Sequence, residues 1–286
     1  MSIEMIDAEN WDLLKRTIKK LLGFDPSSYT NSFMQRRVLV RLHALKIATY
    51  KEYISILKDS RHEQELLLKE LTIHVTNFFR DQSMWIELKD KVIPLILGEK
   101  HSSGANSINL WSAGCSSGEE PLSLAICFLE ALGEDLKGFK LMILATDCDA
   151  ETIRRAKLAE YDEMQFKEMP KGYMEKYFSK KDVDVKIGSN TLSTVVYTPK
   201  PFLKSMITYE QDDILSRKKF RNLDLIMCRN TVIYFDIETK TRLYDTFYDC
   251  LVHNGFLILG KTEILQGPIR DRFQMYDLHE RIHVKF

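Results

Sequence analysis

One segment of the chain, residues 112–120, combines small residues with two acids in the run SAGCSSGEE. Glycine and serine let a backbone approach a ligand closely, and Glu119 and Glu120 fall where a helix is predicted to begin. A helix start with glycines usually binds phosphate, but two carboxylates there would repel a pyrophosphate. The segment also lacks the glycine patterns of dinucleotide-binding and phosphate-binding loops. It therefore predicts a nucleoside cofactor that carries a cation or hydroxyl groups and no phosphate.

A further acid, Asp147, closes the next apolar run, LMILATD. Ligands of open α/β sheets bind at the carboxyl ends of the strands, where an acid can accept hydrogen bonds from ribose hydroxyls. An acid in this position can also simply cap the following helix. Together with residues 112–120, Asp147 favours S-adenosylmethionine, which has an ammonium, a sulfonium and a ribose.

Composition and charge exclude several other classes of protein. The 41 basic and 41 acidic residues balance, so no global field attracts nucleic acid or an anionic membrane. No apolar run approaches the roughly 18 residues that span a bilayer, and the start of the chain carries acids where a signal peptide carries basic residues. We therefore expect a cytosolic, globular protein.

The cysteines do not point to separate chemistry. The sequence has five of them, and none has the spacing of a zinc site, so we expect reduced thiols and no bound metal. Cys115 could be a nucleophile, but no other feature of thiol enzymes accompanies it. A small residue that fills a tight turn is the preferred interpretation of Cys115.

The elements that must position these residues alternate between strand and helix from Ile108 onward. Apolar runs predict strands at INLWSA, LMILATD, LDLIMCRN and GFLILG, with helices between them, and FQMYD and RIHVKF predict a terminal antiparallel pair. This is the pattern of an α/β fold with a doubly wound sheet. Residues 162–209 interrupt the alternation and predict an inserted small antiparallel β subdomain.

The first part of the chain predicts five helices. Apolar residues recur at helical spacing, Thr49 and Glu52 form a capping-box pattern, the fourth helix is predicted from Glu63 to Phe79, and the fifth ends before Pro94. Residues 98–106 are polar and rich in glycine and serine, which is typical of a linker. We therefore predict a helical domain over residues 1–97, a linker over 98–106 and the sheet domain over 107–286.

Five segments resemble one known family, the CheR-type chemotaxis receptor glutamate methyltransferases. They are WSAGCSSGEEP, ATDCD and MCRNTVIYF in the sheet domain, LTIHVTNFFRD before it, and RRVLVRLHALKIATYKEYISIL near the start. They occur in the family's order and cover nearly the whole chain. The resemblance implies transfer of a methyl group from S-adenosylmethionine to receptor glutamates, giving methyl esters for sensory adaptation.

The resemblance also implies a set of cofactor contacts. These are Thr76 and Arg80 from the helical domain, and Glu119, Asp147, Asp213, Ile214, Arg229 and Asn230 from the sheet domain. The site is therefore expected to lie between the domains, with Arg80 pairing with the cofactor's carboxylate and Glu119 with its ammonium. Two residues depart from the family, since His74 and Asp213 stand where it usually has asparagine, and we expect retuned contacts there.

The same resemblance implies how the acceptor is held. The partner would be the cytoplasmic helices of methyl-accepting chemotaxis receptors, bound by a monomer. Tyr234 would orient the acceptor carboxylate, or it is an aromatic wedge of the sheet, whereas Phe235 is expected in the core. Arg37 and Arg41 lie on a basic helix face that would contact the acidic receptor, although such faces are commonly only solvated. A glutamate acceptor is already ionised at neutral pH, so we expect no general base.

The sequence leaves two other functions open and disfavours a third. The chain could methylate another oxygen acceptor, or it could bind S-adenosylmethionine without catalysis as a signalling adaptor, to which His74 would point. A nicotinamide dehydrogenase is disfavoured by the glycine pattern.

Overall fold

The computed structural model describes residues 8–72, 76–133, 138–187, 190–216 and 220–286. Its contacts divide the chain into two compact units: Met1–Ile73 with Tyr234–Lys240, and His74–Ile233 with Thr241–Phe286. This division falls earlier than the predicted boundary at residue 97. The reason is that Phe78, Trp85 and Leu88 are buried in the core of the second unit.

Four helices form the described part of the first unit. They are α1 (Ala8–Leu22), α2 (Asn31–Leu45), α3 (Tyr50–Asp59) and α4 (Arg61–Leu71). Their apolar stripes form one core, which includes Leu14, Ile18, Val38, Leu42, Leu57 and Leu67. The predicted cap of α3 is present, because the Thr49 hydroxyl accepts the Glu52 N–H at 3.2 Å. The first three helices are confirmed.

The fourth helix is shorter than predicted. It ends at Leu71, whereas the apolar pattern continued it to Phe79. The sequence after Leu71 contains four β-branched residues, Thr72, Ile73, Val75 and Thr76, which lower helix propensity. Phe79 itself has φ of 54°, which no helix accommodates.

A short later segment, Tyr234–Lys240, also belongs to the first unit. The Tyr234 carbonyl accepts the Thr30 N–H at 2.9 Å, and Tyr29 forms an antiparallel bridge with Phe235. Phe235 is buried and meets Tyr29 edge to face at 4.8 Å. Its predicted core position is confirmed.

A helical stretch opens the second unit and runs further than predicted. It consists of α5 (Gln82–Glu87), a π-helical turn over Leu88–Val92, and α6 (Ile93–Ser103). Pro94 does not end the stretch, because it lies in the first turn after the π segment, where its missing N–H is tolerated. Residues 98–103 of the predicted linker are therefore helical.

The second unit contains nine strands among its described residues, and seven of them form one mixed sheet. In chain order the strands are β1 (Ser107–Ala113), β2 (Lys140–Asp147), β3 (Phe178–Ile187), β4 (Asn190–Pro199), β5 (Ile207–Gln211), β6 (Leu223–Cys228), β7 (Leu251–Leu259), β8 (Phe273–Asp277) and β9 (Ile282–Lys285). The sheet order is β5-β2-β1-β6-β7-β9-β8. The first five strands in this order pair in parallel, and β9 pairs antiparallel with both β7 and β8. This confirms the predicted α/β class and the terminal antiparallel pair.

Helices connect the strands. They are α7 (Glu119–Leu132), α8 (Ala150–Leu158), α9 (Tyr173–Tyr177), α10 (Pro201–Lys204) and α11 (Ile237–Cys250). The central strand β6 is buried along its whole length, as expected of a parallel strand covered on both faces. The carboxyl ends of β1 and β2 lie side by side at the same edge of the sheet. Residues 112–120 begin there.

The inserted β subdomain is confirmed as a separate two-stranded antiparallel sheet of β3 and β4. The predicted insertion extended to residue 209, but Ile207 already pairs with Ile143 in the main sheet. β5 was included in the insertion because it is a mostly exposed edge strand. Its apolar and polar residues alternate as they do in a hairpin strand. Residues 188–190, GSN, predict the turn of this hairpin, and Gly188 and Ser189 lie outside the described residues. Within the described ranges, no helix is both long and apolar enough to cross a membrane.

Candidate functional site

The segment after β1 forms a tight loop that is fixed to the end of β2. Gly114, Ser116 and Gly118 all have positive φ, at 86°, 48° and 98°. The N–H groups of Gly114 and Cys115 both donate to the Thr146 carbonyl, at 2.8 and 2.9 Å. The loop therefore bends sharply around the carboxyl end of β2 before α7 begins.

Two tyrosine hydroxyls pack against the loop. The Tyr161 hydroxyl donates to the Ser117 carbonyl at 2.8 Å. A Cβ atom at Gly118 would lie 2.8 Å from that hydroxyl and 2.9 Å from the hydroxyl of Tyr209. Because φ is also positive there, only glycine fits this position. Neither tyrosine was identified from the sequence, since both lie in stretches without a recognisable motif.

Asp147 lies where the sequence predicted it, at the end of β2 beside the loop. Its carboxylate accepts the Ser116 N–H at 3.0 Å and the Asp149 N–H at 3.1 Å, and only 8% of the residue is exposed. These bonds fix the carboxylate at the edge of the sheet where ribose is bound in open α/β folds.

The two acids that begin α7 have different surroundings. Glu119 is completely buried, and its carboxylate accepts bonds from the Ser117 hydroxyl, at 3.0 and 2.9 Å, and from the Gln165 amide. Burial raises the pKa of Glu119. Glu120 instead accepts the Ser112 hydroxyl at 2.7 Å. Glu119 thus stabilises the loop from inside, and Glu120 is the better placed of the two to meet a cationic ligand group.

Burial also raises the pKa of Glu120 to about 7, against the opposing effects of Ser112, Arg229 and Arg80. A cationic ligand favours the ionised carboxylate, so its affinity should fall as pH drops through that value. We expect S-adenosylhomocysteine, which keeps the ammonium, to bind about 10-fold more tightly at about pH 8 than at about pH 6. Calorimetric titration across this range tests the prediction. Glu120→Gln should bind with little pH dependence, and an equally flat profile for the unchanged protein would contradict the role of Glu120.

Arg229 joins the end of β6 to the segment before α5. Its Nη1 donates to the Arg80 carbonyl at 3.2 Å and its Nη2 to the Asp81 carboxylate at 2.9 Å. The residue is 6% exposed, and its Nε is buried with no hydrogen-bond partner among the described residues. Thr76 and Arg80 are both partly buried in this second unit, and not in the helical unit as predicted.

The turn after Arg229 depends on a residue that the sequence did not reveal. Asn230 has φ of 56°, and its N–H donates to the Glu263 carboxylate at 3.1 Å. Glu263 lies beyond β7, in a stretch without a motif signal. Its buried carboxylate accepts two further backbone bonds from Gly260 and Val232.

Two of the predicted cofactor residues, Asp213 and Ile214, lie in a turn after β5. The Asp212 N–H donates to the Asp147 carbonyl at 2.9 Å, which brings this turn next to the end of β2. Ile214 is buried, whereas Asp213 is exposed and its carboxylate accepts the Leu215 N–H at 2.9 Å. The acid at Asp213 thus caps its own turn. His74, the other departure from the family, lies outside the described residues.

The predicted acceptor residues belong to the first unit, and two of them, Tyr234 and Arg37, lie against the same aromatic ring. Phe33 stacks on Tyr234 with ring centroids 4.3 Å apart, and the Arg37 guanidinium lies 5.7 Å from the other ring, that of Phe33. Tyr234 is therefore an aromatic packed on α2 and only partly buried. The Nε of Arg37 is buried without a hydrogen-bond partner in the described part of the chain.

Arg41 does not have the exposed position predicted for it. Its guanidinium forms a two-pronged pair with Glu63, at 3.0 and 2.8 Å, and Tyr53 donates to the same carboxylate at 2.8 Å. Only 12% of the Arg41 side chain and 5% of the Glu63 side chain are exposed. The sequence pattern could not reveal this, because Glu63 lies on α4. Arg41 therefore stabilises the helical unit.

The residues of the second unit fit S-adenosylmethionine. The glycine loop has no room for a Cβ at Gly114, where it would lie 2.7 Å from a Thr231 methyl carbon, or at Gly118. Acids stand where a ribose and an ammonium are expected, and the orphaned Nε of Arg229 is a donor for a carboxylate. Cys115 is buried, and burial raises its pKa well above the usual range, so it is a poor nucleophile.

Comparison with known proteins gives concordant matches. Residues 74–282 match the family described as "CheR methyltransferase, SAM binding domain", and residues 9–72 match "CheR methyltransferase, all-alpha domain". A chemotaxis protein methyltransferase of Listeria innocua is 32% identical over 253 residues, which is 88% of this chain and 89% of that protein. The corresponding protein of Borreliella burgdorferi is 29% identical over 90% of this chain and 89% of its own length. Along the sequence, one matched segment ends at residue 72 and the other begins at residue 74, which is where the two units divide.

Proposed function

Because the chain belongs to the CheR methyltransferase family, we propose that it transfers methyl groups from S-adenosylmethionine to glutamate carboxylates of chemotaxis receptors. It is an S-adenosylmethionine-dependent methyltransferase that acts in chemotaxis. The observation that best supports the proposal is the loop of residues 112–120. It has two glycines with no room for a Cβ atom, two acids, and no phosphate-binding lysine.

Each part of the cofactor has a candidate partner in the second unit. Asp147 would accept the ribose hydroxyls, and the turn of Asp213 and Ile214 would contact the adenine. The carboxylate of the cofactor would pair with Arg80 and with the Nε of Arg229. Glu120 would pair with the ammonium in place of Glu119, whose carboxylate is already engaged. Thr76 and Asn230 complete the proposed set.

The chain's own contribution to the reaction is alignment. The bound cofactor supplies a methyl group that its sulfonium activates. An acceptor glutamate with a pKa near 4.3 is ionised at neutral pH, so no residue has to remove a proton. The protein has to hold the acceptor carboxylate in line with the methyl carbon and the sulfonium sulfur, and to exclude water. Orienting the reactants in this way lowers the barrier to methyl transfer. In this proposal the Tyr234 hydroxyl orients that carboxylate.

The acceptor would be carried by the cytoplasmic helices of a receptor, and the basic face of α2 would bind them. After Arg41 is assigned to its buried pair, Arg36 and Arg37 remain as the arginines of α2, and Lys46 directly follows the helix. No acid occurs between Ser27 and Tyr50, so the face has no internal charge compensation along the chain. Charge complementarity there would chiefly raise the rate of association.

Reversing the charge at Arg37 should therefore reduce receptor methylation without affecting the cofactor site. For Arg37→Glu we expect about a 10-fold lower rate at limiting receptor concentration, with a larger difference at low salt. The affinity for S-adenosylhomocysteine should stay unchanged. Arg61→Glu is the matched control, because Arg61 makes the same charge change on the exposed surface of α4. Equal rates for both variants would remove α2 from the proposed receptor contact.

One experiment tests the proposed function itself. The protein is incubated with methyl-labelled S-adenosylmethionine and receptor-bearing membranes, and the receptor is then treated with base. Release of label by base indicates glutamyl methyl esters, as proposed. Label that resists base would instead indicate a nitrogen or carbon acceptor. Intact cofactor binding without any transfer of label would favour a non-catalytic adaptor, which no feature of the described structure supports.

A further inference from the structure

The turn that follows β6 carries two of the proposed cofactor residues, Arg229 and Asn230, in a backbone conformation that needs support. Asn230 adopts φ of 56°, in the left-handed region that L-residues other than glycine rarely occupy. The strand ends at Cys228, so sheet hydrogen bonds do not hold this turn. Its buried N–H groups must find other acceptors.

The Glu263 carboxylate supplies those acceptors. Its Oε2 accepts the Gly260 N–H at 2.6 Å and the Asn230 N–H at 3.1 Å, and its Oε1 accepts the Val232 N–H at 2.9 Å. Hydrogen bonds from backbone N–H groups to a carboxylate are stronger than bonds between neutral groups. Glu263 is 2% exposed, so water does not compete for the carboxylate.

The backbone that carries Glu263 is shaped for the same contact. The Glu263 N–H donates to the Gly260 carbonyl at 2.8 Å, which closes a tight turn after β7. A Cβ at Gly260 would lie 2.7 Å from the Glu263 Oε2 and 2.8 Å from the Asn230 nitrogen. Only glycine therefore allows the carboxylate and the Asn230 backbone to approach so closely.

We propose that Glu263 is a positioning residue that holds Arg229 and Asn230 in the geometry that binds the cofactor. It acts through the backbone of the turn and does not touch the cofactor. This inference rests on the proposed function of Arg229 and Asn230. Glu263 is not among the eight residues that were predicted to contact the cofactor.

Glutamine is the informative replacement, because it keeps the shape of the side chain. Its carbonyl can still accept the N–H groups of Gly260 and Asn230, but its NH₂ then faces the Val232 N–H, and two donors repel. We expect Glu263→Gln to bind S-adenosylhomocysteine about 10-fold more weakly. The KM for S-adenosylmethionine should rise by a similar factor, while kcat changes less. Gly260→Ala should weaken the binding of S-adenosylhomocysteine as well, because its Cβ would push the Glu263 carboxylate and the Asn230 backbone apart.

The matched control is Asp224→Asn. Asp224 is also a buried carboxylate, and it accepts the Asn109 N–H at 2.8 Å and Lys100 at 2.7 Å. It lies near the start of β6, at the opposite end of that strand from Arg229 and Asn230. This variant should lose stability while its affinity for S-adenosylhomocysteine remains close to that of the unchanged protein.

Two readouts are needed, calorimetric affinity for S-adenosylhomocysteine and the amide proton shifts of Asn230 and Val232 without ligand. The inference predicts that Glu263→Gln moves both amide signals and weakens binding, and that Asp224→Asn does neither. Loss of stability in Glu263→Gln with unchanged affinity would overturn the inference, as would equal losses of affinity in both variants. If the unchanged protein binds S-adenosylhomocysteine but methylates no receptor, the proposed function fails while the role of Glu263 still stands on its own readouts.

Discussion

Replacing Gly118 by alanine is expected to weaken the binding of S-adenosylmethionine about 100-fold. An alanine at φ of 98° is strained by about 1–2 kcal/mol, and its Cβ would lie 2.8 and 2.9 Å from two tyrosine hydroxyls. Overpacking of this kind costs about 1–3 kcal/mol further, and about 3 kcal/mol in total corresponds to roughly 100-fold in affinity. The loop can relieve the contact only by moving away from Tyr161 and Tyr209, and this movement displaces the cradle. Calorimetric titration with S-adenosylhomocysteine measures the loss.

Gly172→Ala is a close control for this prediction. Gly172 also precedes a helix and has φ of 86°, but among the described residues no heavy atom beyond its chain neighbours lies within 4 Å of its Cβ position. The control variant carries the same type of backbone strain without the contact with the tyrosines. It should bind the cofactor like the unchanged protein. Similar affinities for both variants would show that the tyrosine support behind the loop is irrelevant to binding.

Removing the guanidinium of Arg41 is expected to lower the free energy of unfolding of the helical unit by about 3 kcal/mol. Breaking a buried ion pair leaves an uncompensated charge, which costs roughly 3–5 kcal/mol. In Arg41→Met, the Glu63 carboxylate would keep the hydrogen bond from the Tyr53 hydroxyl but lose both bonds from the guanidinium. Hydrogen exchange of the amides in α2 and α4, measured in the full chain, reports the change.

The pH dependence of this effect follows from Glu63. Burial alone would raise the pKa of Glu63, but the bonds from Arg41 and Tyr53 outweigh it and lower the pKa below its ordinary value of 4.5. A lowered pKa means that the pair contributes stability above that ordinary value and loses it as pH falls through the folded-state pKa. Arg41→Met should therefore differ from the unchanged protein most clearly at neutral pH.

Arg61→Met provides the comparison on the protein surface. Arg61 lies 3.6 Å from Glu65, and 92% of its side chain is exposed. Such a pair contributes less than about 1 kcal/mol. Equal protection from exchange in the Arg41 and Arg61 variants would contradict a structural role of the buried pair. The result matters for receptor studies, because charge reversal at Arg41 would reduce methylation by unfolding the helical unit.

The order of the elements could be predicted from the sequence, because it depends on local periodicity. Apolar runs and turn residues predicted β1, β2, β6 and β7 and the terminal antiparallel pair. The errors occurred where local signals compete. Pro94 indicated a helix end, but a π-helical turn accommodates it, and the apolar stripe of α4 continued in sequence beyond its real end at Leu71.

The positions of the site residues were partly predictable, but their orientations were not. Asp147 follows its strand directly, so its place at the sheet edge followed from the fold. Glu119 and Glu120 are adjacent, and successive helix residues point about 100° apart, so one had to turn inward. Glu119 is the one that points inward, and it is held there by Gln165, which lies 46 residues further along the chain.

Pairs that form between distant segments explain the remaining differences. Arg41 appears in the sequence as one of several cations without a nearby acid, and its partner Glu63 is 22 residues away. Glu263 is 33 residues from Asn230. No spacing rule connects such residues, because the contact depends on how helices and turns pack.

The central claim is that this chain forms methyl esters on receptor glutamates with a cofactor held by residues 112–120. The most direct measurement uses a purified cytoplasmic receptor fragment and methyl-labelled S-adenosylmethionine at limiting concentration. Base-released label is then quantified for the unchanged protein, Gly172→Ala and Gly118→Ala. We predict similar release with the first two and a loss of about 100-fold with Gly118→Ala, in step with its cofactor affinity. Base-stable label, or equal release by all three proteins, would contradict the account.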